Sequence, residues 1–461
     1  MGFALLPLLL ACARDAQKPS PADTAEPGVT PDSGLDTGLL EDPDPEAPLF
    51  TDPAPGGALP DPDDLDGDGV LSWDDCDDGD AAVWEADAAR AGGAFSGLEE
   101  LTALCAGACS ARVTGDLSIT GLWADDLSSL SCLTEIEGSL RIEDSPILSS
   151  LSGLEGVARI GGGLALWDDP ALADLSGLEG LIALDGDLEL YLNEGLIDLS
   201  GLEGLDQIGG SATIWGNPAL TDLRGLSNLR AVGGQLSVGS NTDLTRLDAL
   251  SSLVEVASLS ILNQPALRGL AGLSGLTAVA GSVDISNNDA LTDLSGLDGL
   301  ASAGGTLYLE RNDALLRLDG LDGLIAVGGL EIEQNPRLTS LSALSALTAI
   351  SGSLVLSGPS SLSDLRGLEG VSAVSGLSVV NHDGLTRLDG LEGLREVALD
   401  LSLIGNQTLS DVTALHTVTS VGANLTVAEN PTLAAADAEA LVRAIGDEAV
   451  GGTISVYDNG G

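Results

Sequence analysis

A chain of 461 residues with 44% hydrophobic but only 2% aromatic side chains, and with 61 glycines, must build an aliphatic core around many tight turns. That is not the composition of an average globular enzyme. Its 71 acidic against 17 basic residues leave a formal charge of -54, a field that repels phosphate backbones and anionic headgroups and argues against nucleic acid as a partner.

The chain opens on MGFALLPLLLACARDAQ, whose apolar run over residues 3–11 is too short for a bilayer, which takes about 20 residues. Residues 1–12 read as a signal peptide. LLAC, ending at Cys12, resembles the bacterial lipobox. The resemblance implies lipidation of Cys12 and, with Ala13 rather than Asp following it, attachment at the outer membrane or cell surface, plain secretion being the alternative. Membrane contact is expected through this anchor alone. Residues 13–63, with PSPADTAEPGVTPDSG and DPDPEAPLFTDPAPGG, cannot bury a core and repel themselves into an acidic tether.

DLDGDGVLSWDDCDDGD follows over residues 64–80. Asp64, Asp66 and Asp68 alternate so that their oxygens can converge on one hard cation, with Gly69 at the sharp turn, the Val70 carbonyl as a further ligand and Asp75 closing the loop. The pattern resembles an EF-hand loop with Asp75 for the usual Glu. It is also similar to the DxDGDG…DCDD motifs of extracellular bacterial proteins and to thrombospondin type 3 repeats. Calcium is the expected cofactor, against the bland reading of an acidic linker.

After an N-terminal cap over residues 81–116, one unit recurs through residues 117–461. Strand starts fall at Leu117, Leu140, Leu164, Leu188, Ala212, Leu236, Leu259, Val283, Leu307, Leu330, Leu354, Leu377, Leu401 and Leu425, always 23 or 24 residues apart. A last strand begins at Ile454, after a longer step that holds AAADAEALVRAI, a capping helix. This period predicts an all-β solenoid of about fifteen coils, about 70 Å long at about 4.8 Å per coil. Asn stands five residues after the strand start at Asn193, Asn217, Asn241, Asn288, Asn312, Asn335, Asn406 and Asn430, where stacked amides would satisfy turn backbone. LSGLEGL and its variants supply two further apolar contacts on the return.

The unit GxLxIxxNPxLxxLxGLxxLxxIGG, with the entry CSARVTGDLSITG at residues 109–121, resembles the receptor L domain over about residues 105–430. The resemblance implies a right-handed β-helix related to leucine-rich repeats and used for binding rather than catalysis. This chain runs more coils than such a domain is expected to hold.

Cys12 aside, Cys76, Cys105, Cys109 and Cys132 remain, an even number in an exported chain. Cys109 and Cys132 both lie eight residues before a strand start in adjacent coils, so stacking in register would set them about 5 Å apart. A Cys109–Cys132 bond is expected, with Cys76–Cys105 tying the acidic loop to the cap.

No catalytic constellation stands out. His382 occupies an Asn-ladder position, His416 is isolated, no GxSxG is present, and Lys18 is the only lysine. A non-enzyme is expected; the alternative is a β-helical polysaccharide-degrading enzyme, which needs carboxylates with a basic residue on one sheet. Asp284, Tyr308, Glu310, Glu331 and Glu333 fall on outward positions of three adjacent coils, and Glu310 beside Glu333 would repel by about 1 kcal/mol in water unless Arg311 or a cation screens them.

Trp167, Tyr191 and Trp215 each stand three residues after a strand start, an odd offset that points outward and stacks the rings on one sheet face. Such a row can simply stabilise the sheet by about 0.2–1 kcal/mol per pair. Flanked by Glu143, Asp168, Asp169, Glu189 and Asn217, it can also offer stacking faces and acceptors to an extracellular protein or glycan. The chain is expected to act as a monomer.

Overall fold

Residues 212–235 show how one coil closes. Ala212 and Ile214 point inward and Thr213 and Trp215 outward, the alternation a strand requires. Gly216 turns the chain at φ 73. Leu220, Leu223, Leu226 and Leu229 then recur every third residue, all fully buried, as backbone N–H groups bond three residues back (Leu226 to Leu223 and Leu229 to Leu226, both 3.1 Å). The return therefore buries four leucines where two further contacts were expected. At Gly225, φ is 105 and an added Cβ would lie 1.8 Å from the Leu199 carbonyl oxygen. Only glycine fits.

Repetition of this coil makes a parallel β-solenoid of about 14 turns, mostly sheet, with two α-helices among the described residues. The computed structural model describes residues 88–460. Every predicted strand start from Leu117 to Ile454 falls on a strand, and adjacent rungs pair in register, as Ala212 does with Leu188 and with Leu236. A second line of short strands, such as Arg159–Ile160 beside Ala183–Leu184, runs along the return. At the N-terminal end Ala88–Phe95 adds a rung before Leu117, followed by α1 (Leu98–Cys105). At the other end α2 (Ala435–Ile445) lays Ala438, Leu441 and Ile445 inward, as the capping-helix reading expected.

The disulfide reading is overturned. Cys105 bonds Cys132, with Cα atoms 5.6 Å apart. Leu101 and Leu104 dock α1 against the 3-10 turn Ser128–Leu130, which brings the helix's last residue to Cys132. Cys109 is out of step because Ala111 faces Leu133 whereas Arg112 faces Glu135, a one-residue slip that equal offsets conceal. Cys109 is itself disulfide-bonded. With Cys105 taken, Cys76–Cys105 falls as well; Cys76 lies outside the described residues.

The Asn ladder exists and carries the buried turn. Asn193 donates its backbone N–H to Asn217 Oδ1 (3.0 Å) and its Nδ2 to the Leu166 carbonyl (3.0 Å), and Asn217 repeats this with Asn241 and Leu190. Each amide thus satisfies groups on a neighbouring coil that water cannot reach. Part of the chain's acidity serves the backbone in the same way. Asp174 and Asp198 accept the N–H two residues on, and Glu179 and Glu203 accept that of the turn glycine two residues back.

Gln264 breaks the ladder. It is fully buried at an Asn position, its N–H still donates to Asn288 Oδ1 (3.1 Å), but its own Oε1 and Nε2 have no partners. One extra methylene carries the amide past the groups it should meet. Replacing Gln264 by Asn should therefore raise stability by about 1–2 kcal/mol in chemical denaturation, since each unsatisfied buried polar group costs about 1–3 kcal/mol.

Candidate binding surface

The register places Glu143, Trp167, Tyr191, Trp215 and Gly239 side by side on successive rungs. The three rings occupy one outward row, as expected, and each is half-buried. They do not lie as a flat strip. Trp167 and Tyr191 meet edge to face, with centroids 5.5 Å apart and planes at 79°. The guanidinium of Arg141 sits 3.8 Å over the Trp167 ring while binding Glu143 Oε2 through Nη2 (2.6 Å) and Nε (2.8 Å). Trp215 leans over Gly239, where a Cβ would come within 2.0 Å of its Cε3.

In the neighbouring outward row Ala165 separates Arg141 from Glu189, leaving a cavity of about 270 Å³ lined by these residues and Asp187. Burial pushes the Glu189 carboxyl up and Asp187 adds to this, while Arg141 and the Trp167 indole oppose it. The Trp167 Nε1 is buried without a hydrogen bond of good geometry, so its influence on Glu189 is that of a nearby dipole rather than a made bond. Burial likewise raises the Tyr191 phenol.

Two expected flanking residues are elsewhere. Asp169 and Asn217 are fully buried in the ladder, where their side chains meet backbone of adjacent coils, so neither offers an acceptor to a partner. The fourth position after each strand start adopts φ between 50 and 77 and takes Asp144, Asp168, Leu192, Gly216, Ser240 and Asn263 in successive coils. Later coils place Arg311, Gln334 and Glu429 there as well, so Leu192 stands out as the one apolar side chain in this column among the described residues. It is 53% exposed, its N–H bonds the Trp215 carbonyl (3.0 Å), and its side chain lies against Gly216, the residue after Trp215. A bulky side chain in the left-handed region costs about 1–2 kcal/mol. Pattern reading passed over both Leu192 and Arg141; the available signal was a leucine in a column otherwise held by glycine and polar or charged residues.

The second cluster is in register as expected: Asp284 beside Tyr308, Tyr308 beside Glu331, and Glu310 beside Glu333. Arg311 supplies the screening, with Nη1 2.6 Å from Glu310 Oε1 and Nε bonded to Gln334. Asp284 is held by the Ser286 hydroxyl, and burial raises both Asp284 and Glu331. Among the described residues no three His, Cys, Asp or Glu side chains converge as a metal-ligand group. Asp64, Asp66, Asp68, Val70, Asp75 and Cys12 lie outside the described residues.

Ser360 Oγ lies 2.9 Å from His382 Nδ1, a nucleophile-and-base pairing in outline. Burial pushes His382 down to about 4 and leaves Nε2 without a partner, so its ring has little affinity for a proton at neutral pH. His416 is exposed. A larger concavity, about 730 Å³, runs along the return between Val232 and Ser351 and takes in none of the three rings; Glu255 is the one charged residue lining it.

Gly239→Ala should lift the Trp215 indole off the backbone, red-shift tryptophan emission and destabilise the fold by about 1–3 kcal/mol. An unchanged spectrum would show that Trp215 has another resting place.

Comparison with known proteins found no matching family model and no matching curated sequence.

Proposed function

We propose that this chain is a non-catalytic binding protein, exported and held at the outer membrane or cell surface by lipidated Cys12, with residues 64–80 forming a calcium-bound loop. The receptor L domain resemblance supports a binding role. Its recognition surface is the row Trp167, Tyr191 and Trp215 with Leu192, and its partner is an extracellular protein segment carrying basic and apolar side chains.

Leu192 carries this reading. Folding gains nothing from an exposed leucine in a left-handed turn, and a strained residue of this kind points to use at the surface. The surrounding charge selects the partner: Glu143, Asp144, Asp168, Asp187 and Glu189 border the rings, and the whole chain carries -54. A sugar would want an open ring face, and Arg141 covers one face of Trp167 while Gly239 lies under Trp215. The Glu310 and Glu333 row, with Tyr308, offers a weaker second area for cationic groups.

Leu192→Asn separates the two demands on this position. Against a library of Lys/Arg- and Leu/Phe-containing peptides, binding should fall at least about tenfold, a loss of about 1.4 kcal/mol. Stability should rise by about 1 kcal/mol, because Asn tolerates the left-handed turn. Trp167→Ala with Trp215→Ala should abolish the same binding with melting shifted by only a few degrees. Salt-insensitive capture of a neutral glycan instead would move the reading to carbohydrate, and cleavage of a polysaccharide would refute a non-catalytic role.

Calcium titrated into the full chain should release heat that Asp66→Asn with Asp68→Asn removes. No heat from the unaltered chain would remove calcium from the account.

A further inference from the structure

The ladder has one acidic member beside the aromatic row. Asp169 is fully buried at the Asn position of its coil; its Oδ1 accepts the Ser145 N–H (2.9 Å), and its own N–H donates to Asn193 Oδ1 (3.1 Å). Both contacts match those of an Asn. The other oxygen does not, because Oδ2 is buried without a partner. In Asn193 and Asn217 the corresponding atom is Nδ2, which donates to a carbonyl 27 residues back, that of Leu166 or Leu190. The same step from Asp169 reaches the carbonyl of Ile142.

An ionised carboxylate has only lone pairs to turn toward that carbonyl, so two acceptors would oppose each other in a place water cannot enter. A carboxylic acid has an O–H in the place of the amide N–H. We propose that Asp169 is held as a neutral acid standing in for an amide, and that its deprotonation is a pH-sensitive release of the contact between the coils carrying Glu143 and Trp167. This role of Asp169 is independent of what the row binds.

The surroundings agree. Burial pushes the Asp169 carboxyl up to about 7; the Ser145 N–H opposes this, and Asp168, Asp144 and Glu143 add to it. All three charged neighbours are acidic, and Arg141, the nearby cation, is engaged by Glu143. A folded pKa near 7 lies above the unfolded value of about 3.9, so the native state binds the extra proton. Its stabilisation is fully present below about pH 4 and is lost as pH rises through about 7.

The test compares the full chain with Asp169→Asn by chemical denaturation from pH 4 to 9 at fixed ionic strength. The advantage of D169N should grow as pH rises to about 7 and then level, with an unfolding equilibrium constant at least tenfold smaller than that of the unaltered chain at pH 8. Asp169→Ser, which copies Ser145 of the preceding coil, should flatten the profile in the same way and guards against failure of one variant. A carboxyl ¹³C resonance missing from both variants should titrate with a midpoint near 7 in the unaltered chain. A stability difference independent of pH, or a resonance titrating near 4, would overturn the proposal.

Discussion

The fold depends on giving every coil's buried turn a hydrogen-bond partner on the next coil. Inward leucines supply the larger driving force, since burying one is worth about 1.5–3 kcal/mol, but they would collapse as well in many registers. Direction comes from the ladder. An amide five residues after the strand start receives one coil's N–H at Oδ1 and gives its own N–H to a carbonyl, so adjacent rungs are held with no slip, as Leu188, Ala212 and Leu236 are. At three ladder positions that change chemistry, Asp169, Gln264 and His382, an orphaned atom remains, whereas the shorter Ser145 keeps its hydroxyl bonded to the Leu122 N–H.

The same logic accounts for part of the charge. Carboxylates on the return act as turn acceptors, which is why Thr413 holds Asp411 below the usual range through its hydroxyl and its N–H. A solvated acidic coat was the bland reading of composition, and it stays true of the exposed rows. It leaves out the carboxylates whose positions are fixed by the backbone they cap.

Strand placement, the period, the ladder and the capping helix were legible in the sequence because each depends on local spacing repeated many times. The disulfide was not, because a single slip between Ala111 and Arg112 cancels the equal spacing of Cys109 and Cys132. The aromatic row was legible in direction but not in geometry: alternation says that Trp167 and Trp215 face outward, whereas tilt depends on Arg141 and on the empty Cβ position of Gly239. Asp169 and Asn217 misled as flanking groups. They follow the strand by one residue more than the turn does, and that step carries a side chain from the rim into the ladder.

A repeat tolerates variation unevenly, and this decides where a function can be placed. Outward rows can change more freely than the turn and ladder columns because they share no obligatory bond, provided that a large ring finds room beside it, as Trp215 does over Gly239. Leu192 and Asp169 are different: each sits in a column that backbone geometry governs, one requiring a left-handed turn and the other an amide. Both columns vary elsewhere, at Arg311, Gln334 and Glu429 in the turn and at Gln264 and His382 in the ladder, but among the described residues the one apolar turn residue and the one acidic ladder residue both fall within two rungs of the three rings. Their coincidence is the reason the segment from Arg141 to Trp215, rather than the larger concavity between Val232 and Ser351, is the part of the solenoid to test first.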